Sequence, residues 1–235
     1  MDEMKKNNDM IKVMRLLQFT DSQFPVGTFS FSNGLETASF EGIVNDAKTL
    51  EDFARSQSHQ AAFSDGVAAI HSYRAYNAFK YDQCMEIDQY LYRFKMNDEA
   101  RLMATRMGKK LTELGVKLYD NDFIKRWLED INNGETPGMY PVGQGIMFAI
   151  AEVSEKDLFC SHQYGVINMV LGAALRCVKV SHYDTQKILE KLSHNIESLY
   201  YEASKMELKD MNAFYPQLDI LASLHEKGNM RMFMN

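Results

Sequence analysis

LFCSHQYGVINMVLGAALRCVKV, residues 158–180, is the most apolar long stretch of the chain. It is longer than an ordinary strand. Ser154-Glu155-Lys156-Asp157 just before it places a capping hydroxyl ahead of acidic residues, the pattern of a helix start. Read as a helix, it is too apolar for a surface position and is expected at the centre of the fold. Gly165 and Gly172 stand seven residues apart on one face, where they let another backbone come close. That face, and more apolar surface than one side of a small domain needs, point to a homodimer. The run Val166–Val180 is interrupted by Asn168, Arg176 and Lys179. It is therefore too short and too polar for a membrane span of about 20 apolar residues.

Helical spacing continues on both sides of this stretch. On the N-terminal side, Met10, Val13, Met14 and Leu17 share one face, and a further helix is expected from Asn33 to Gly42. Thr49-Leu50-Glu51-Asp52 reads as a start with Thr49 as cap, followed by Leu50, Phe53, Ala54 and Gln57 on one side. The next helices run from Ser64 through Val67 and Ile70 to Phe79, and from Asp82 with Cys84, Ile87, Leu91 and Phe94 inward. Asn97-Asp98 opens a longer one carrying Leu102, Met103, Met107, Leu111, Leu114 and Leu118. Ile124, Trp127, Leu128 and Ile131 make a shorter one. After Asp184 come Ile188, Leu189, Leu192, Ile196 and Leu199 in register, then a short helix over Leu218–His225. No run alternates as a half-buried strand does. The expected fold is all-α, a single multi-helix domain. The break at Asn132–Gly138 reads as a loop inside that domain rather than a boundary, because the helical pattern resumes at Gln144.

The 235 residues fit one large domain, and the net charge of −6 argues against nucleic acid as a partner. Three distant cysteines, Cys84, Cys160 and Cys177, do not form a disulfide framework. The first ten residues lack the apolar core of a signal peptide, so a cytoplasmic setting is expected. Sixteen methionines suit surfaces that repack against partners as well as an ordinary core. No phosphate-binding glycine loop, nucleophile elbow or clustered metal-ligand spacing is present, and no cofactor is expected. Cys160 and His162 are the one close pair of soft ligands. On a helix they point about 200° apart, so they would need a loop geometry to share one ion, and ordinary packing is the favoured reading. The acidic pair Asp98-Glu99 is accounted for by the positive end of a helix. Arg101, Arg106, Lys109 and Lys110 form the one basic cluster, which reads equally well as a solvated face or as a seat for an acidic partner group.

One stretch, Gln18–Glu36, is apolar without being periodic. Pro25 and Gly27 shape its backbone, and Phe24, Val26, Phe29 and Phe31 are too apolar for a solvated loop. Burial statistics favour packing on the chain's own core; the alternative is a partner surface. The motifs Leu16-Leu17-Gln18, Asp21-Ser22, Phe24-Pro25-Val26-Gly27, Phe29-Ser30 and Ser32-x-Gly34-Leu35-Glu36 resemble the N-terminal signature of the urease accessory protein family UreF. The resemblance continues through RLMATRMGKK at 101–110, Pro141-Val142-Gly143, Lys179-Val180-Ser181 and Asp184-x-Gln186-Lys187-Ile188-Leu189. It ends with Pro216-x-Leu218-Asp219-Ile220-x-Ala222-x-x-His225-Glu226 and Arg231-x-Phe233, and so covers most of the chain.

The resemblance implies an all-helical homodimer that is not an enzyme. It would act as a scaffold in the complex that delivers nickel to apo-urease, bridging UreD/UreH and the GTPase UreG. Members of the family often carry His at the positions of Phe31 and Tyr140. Without those imidazoles the chain is expected to have no tight nickel site of its own. The expected partner-binding residues are Phe24, Pro25, Phe29, Ser30 and Glu36 in the N-terminal loop, and Arg101, Arg106 and Lys109 in the basic segment. His225, Glu226, Arg231 and Phe233 complete the set in the C-terminal tail, residues 226–235. The tail, one Arg among Met and Phe, has the composition of an interface anchor. Two competing readings remain. One is a GTPase-activating or checkpoint module using Arg15, Arg101, Arg106 or Arg231, which would change the partner's hydrolysis rate. The other is an enzyme with a hidden pocket, which would turn over a substrate alone.

Overall fold

The computed structural model describes residues 2–27, 30–213, 215–226 and 232–233. The chain is all-helical, and among the described residues there is no strand. In order, the helices are α1 (Asp2–Thr20), α2 (Leu35–Phe40), α3 (Ala47–Ala61), α4 (Val67–Asn77), α5 (Tyr81–Phe94), α6 (Asp98–Leu118), α7 (Asp122–Asn133), α8 (Tyr140–Ile150), α9 (Glu155–Cys177), α10 (His182–Ser193), α11 (Ile196–Ala203) and α12 (Pro216–Glu226).

Local chemistry sets most of the ends. Asn97, Ser154 and Ser181 each accept a backbone N–H from the third residue of the helix they open. At α3 the cap is Asp46 rather than Thr49, which instead closes the reciprocal half of the capping box. The expected break before Ser64 is absent. A π-helical turn, Ala62–Gly66, joins α3 to α4 and absorbs the change of register that the apolar spacing had registered as an interruption. The single helix expected after Asp184 is two, separated at His194 and Asn195.

The most enclosed helix is α8. Pro141 through Ala149 are all buried, and α4 and α6 pack against it most extensively. Its crossing with α4 is closed by Gly145. A Cβ there would lie 2.0 Å from the Ser72 hydroxyl and 2.4 Å from the Ala69 carbonyl oxygen. The loop before α8 is held from within. The Asp88 carboxylate accepts the Thr136 hydroxyl at 2.6 Å and the amides of Gly138 and Met139 at 2.7 Å each. That anchor ties residues 132–138 to α5.

α9 takes part in both apolar clusters. Leu158 and Phe159 join the cluster built by α4–α8, while Ile167, Val170, Leu171 and Ala174 join α2, α3, α10 and α12. The helix starts at Glu155 and reaches 23 residues, long and apolar enough by composition to cross a bilayer, contrary to the sequence expectation; more than half of that apolar window is buried within the protein. Among the described residues nothing lies within 4 Å of a Cβ position at Gly165 or Gly172, so neither makes a close helix crossing there. The N-terminal helix also differs from expectation. Met10, Val13, Met14 and Leu17 are all more than half exposed. The opposite side of α1 is the packed one, through Leu16 and Phe19.

Candidate functional site

The structure gathers four residues singled out by sequence around the C-terminal end of α12. Glu36 stands in the first turn of α2, Glu99 in the first turn of α6, and His225 in the last turn of α12. The His225 Nδ1 is 2.9 Å from Glu99 Oε2, and its Nε2 is 2.9 Å from Glu36 Oε2. Each ring nitrogen thus faces one carboxylate. Glu36 also accepts the backbone amides of Met232 at 2.7 Å and Phe233 at 3.1 Å. Glu226 accepts the amides of Asp98 at 2.9 Å and Glu99 at 3.1 Å, adding a negative charge at the positive end of α6. Phe233 is buried beneath Arg176, whose guanidinium carbon is 4.0 Å from the ring centroid. Three carboxylates, one histidine and two tail amides thus clasp α2, α6, α12 and the tail together.

Burial pushes the Glu36 carboxyl upward in pKa, but the Met232 amide, the His225 ring and the Phe233 amide outweigh it and hold the group below its usual 4.5. A depressed carboxyl stabilises the folded state fully above that ordinary value, and its contribution is lost as pH falls through the folded value. Hydrogen exchange at the Met232 and Phe233 amides is therefore expected to be protected at neutral pH and to lose protection on acidification. Glu36→Gln should weaken the clasp by about 1–3 kcal/mol at pH 7 and remove much of that acid dependence. Unchanged protection in the variant would contradict the assignment.

Beside the clasp runs an open groove lined by Tyr92, Arg101, Leu102, Arg106, Glu226 and Phe233. Arg101 is already engaged with Asp98 and the Lys95 carbonyl, whereas Arg106 and Lys109 are exposed. A second groove is lined by Asp21, Ser22, Val26, Gly165, Gly172 and Arg176. Arg176 belongs to this groove and also covers Phe233, so the N-terminal loop, the open glycine face of α9 and the tail adjoin one another.

In the loop, Phe24 is half-buried edge-on to Phe19 at 5.5 Å, Pro25 is exposed and Ser30 is half-buried. Val26 and Phe31 are core residues. Phe29 and Arg231 lie outside the described residues. Sequence reasoning missed Glu99 and Arg176. Glu99 sits where an acid is expected for local reasons, and its partner is 126 residues away. Arg176 gave no signal beyond its charge within an apolar helix.

The two positions where family members often carry His are aromatic and packed. Phe31 is 5% exposed, and burial pushes the Tyr140 hydroxyl up to about 12. Cys160 is exposed while His162 is buried against Gln144, so these two face different surroundings. Among the described residues no three His, Cys, Asp or Glu side chains are grouped as metal ligands.

The fold and these sites define an all-helical protein whose singled-out residues collect on grooves and on a tail clasp. The UreF family model matches residues 44–193. The chain is 45% identical over 223 residues to the urease accessory protein UreF 2 of Brucella canis, covering 95% of this chain and 92% of the relative. It is 41% identical over 223 residues to the urease accessory protein UreF of Yersinia pseudotuberculosis serotype IB, covering 95% and 98%. The chain belongs to the UreF family.

Proposed function

We propose that this chain is a non-catalytic urease accessory protein, a homodimeric scaffold in the complex that delivers nickel to apo-urease. It is a single domain that works in the cytoplasm, contacts UreD/UreH and the GTPase UreG, and through them meets apo-urease. It has no nucleic acid or membrane as partner. The reading rests on family membership across 95% of the chain. It is supported by the convergence of Glu36, His225, Glu226 and Phe233 on the clasp. The open Gly165/Gly172 face supports the dimer, and the grooves beside Arg106 and Arg176 offer partner surfaces. The arginine-finger alternative has less behind it. Arg15 already donates to the Ala151 carbonyl at 2.7 Å, and Arg101 is tied to Asp98.

The test is co-elution with UreD/UreH and with UreG. Arg231→Ala, or removal of Met230–Asn235, should abolish the UreD/UreH complex, the outcome expected of an interface hot spot. Light scattering should still give the dimer mass. Phe29→Ala should weaken recruitment of UreG at unchanged helix content. Co-elution of the truncated chain at full stoichiometry would exclude the tail as the anchor.

A further inference from the structure

Between α3 and α12 runs an open trough of about 660 Å³. It shares no lining residue with the grooves beside Arg106 and Arg176. α3 supplies one wall, from Thr49 to Ser56, and α12 the other, from Gln217 to Leu224. Each wall is about two helical turns long. Gln60 of α3 donates to Asp219 of α12 at 3.4 Å and joins the two helices. Val44, Phe53, Leu218 and Leu221 are the buried part of the lining, whereas Ile43, Ile220 and Leu224 are 54%, 56% and 49% exposed. Single exposed apolar side chains are ordinary, but a contiguous set along one groove marks a place of contact.

The trough offers side chains but no spare backbone donors. The amides of Glu41, Gly42, Ile43 and Val44 are all taken by carbonyls of Thr37, Ser39 and Ala38. The two long walls are helices, whose backbone groups pair internally. An extended segment docks by pairing its backbone with a free edge, and none is presented here. A helix arrives with its backbone already paired, and its ridges of side chains fit a groove between two others. The charged residues of the lining are Glu41 and Asp52, both exposed, and no cation stands among them. Among the described residues neither carboxylate has an ion-pair partner. Their neighbour Glu51, by contrast, is held by Arg55 and Lys191.

We propose that this trough seats an amphipathic helix of a partner protein. The apolar face of that helix lies on Ile43, Ile220 and Leu224, and a Lys or Arg on its flank meets Glu41 and Asp52. The inference rests on the accessory reading for its need of a partner, and it adds a docking surface apart from the tail. Apolar burial supplies the affinity. The two unpaired carboxylates choose the partner, because an acidic segment or an anionic lipid surface is repelled by both.

The probe is a synthetic peptide of about 18 residues, five helical turns, with Leu along one face and Lys on its flanks. It is titrated into the full chain and followed by methyl NMR. Saturable shifts of the Ile43, Ile220 and Leu224 signals are expected. Affinity should fall about tenfold or more when Glu replaces Lys in the peptide, and likewise in the double variant Glu41→Lys, Asp52→Lys. Ile220→Ser combined with Leu224→Ser, both at exposed positions, should abolish binding. No saturable binding, equal binding of the Glu peptide, or shifts confined to the exposed face of α1 would each overturn the proposal. A fall to monomer mass in the Ile220→Ser, Leu224→Ser variant would place a second copy in the trough and overturn it too. Co-elution of the unaltered chain with UreD/UreH and UreG is scored separately. Its failure counts against the accessory reading, whereas failure of peptide binding counts against the trough alone.

Discussion

Gly145→Ala is expected to leave the chain without a stable fold. The added methyl carbon would sit 2.0 Å from the Ser72 hydroxyl oxygen, 2.4 Å from the Ala69 carbonyl oxygen and 2.9 Å from the Tyr73 amide nitrogen. A serine hydroxyl can rotate away, but the other two atoms are backbone of α4. Relief therefore requires the two helices to separate. They cross at the most enclosed part of the protein, where Val142, Ile146, Met147, Ala69 and Ile70 are essentially fully buried. Overpacking in a core ordinarily costs about 1–3 kcal/mol. Against backbone on a fully packed neighbour the cost should exceed ~4 kcal/mol, a large share of the stability of an ordinary domain. Loss of soluble expression, or a thermal midpoint lowered by well over 10 °C, is the expected reading. A normal melting curve would show that α4 and α8 can move apart freely.

Asp88→Ala is expected to destabilise by about 3–5 kcal/mol, because it strands the Thr136 hydroxyl and the amides of Gly138 and Met139 without an acceptor. Burial pushes the Asp88 carboxyl up from 3.8 to about 6, against the opposing pull of the three hydrogen bonds. The sign of the pH effect follows. Between these two values the folded protein keeps a proton that the unfolded chain gives up. The stability from this group is therefore greatest below about pH 4, falls as pH rises to about 6, and is level above that. The shift corresponds to ~3 kcal/mol between the two plateaus. Asp88→Asn should remove this slope while leaving a single acceptor for three donors. Denaturant unfolding of both proteins from pH 4 to 8 measures the difference. A parallel pH profile for Asn and Asp would refute the buried-carboxyl assignment.

The clasp and the core anchor respond to acid in opposite directions. Glu36 is held below its ordinary range by donors at the edge of the protein, whereas Asp88 is lifted above it by burial. Mild acidification should therefore loosen the tail before it loosens the α5–α8 contact. For a surface proposed to meet a partner, weakness at the periphery and strength in the core is the order that lets the tail rearrange without unfolding the rest.

Helical class was legible in the sequence because it is a local property. Three-and-four apolar spacing, Asn97, Ser154 and Ser181 as caps, and the break before α8 all depend on residues within a turn or two of one another. The family motifs were legible for the same reason, as ordered strings of residues. Which apolar face goes inward is a different kind of fact. Met10, Val13, Met14 and Leu17 have the spacing of a core face and are exposed. Gly165 and Gly172 have the spacing of a helix crossing, yet among the described residues nothing lies within 4 Å of either Cβ position, while Gly145 makes a close crossing. The clasp depends on pairs 126 and 189 residues apart, and each member has a sufficient local explanation on its own.

The sequence by itself determined that the chain is helical, roughly where each helix begins, and to which family it belongs, because propensity, capping and motif act over a few residues. Only the tertiary structure decided that α8 rather than α9 is the enclosed helix and that His225 lies between Glu36 and Glu99. Those outcomes turn on which helix surfaces meet, and burial of one face against another is settled by packing among distant segments.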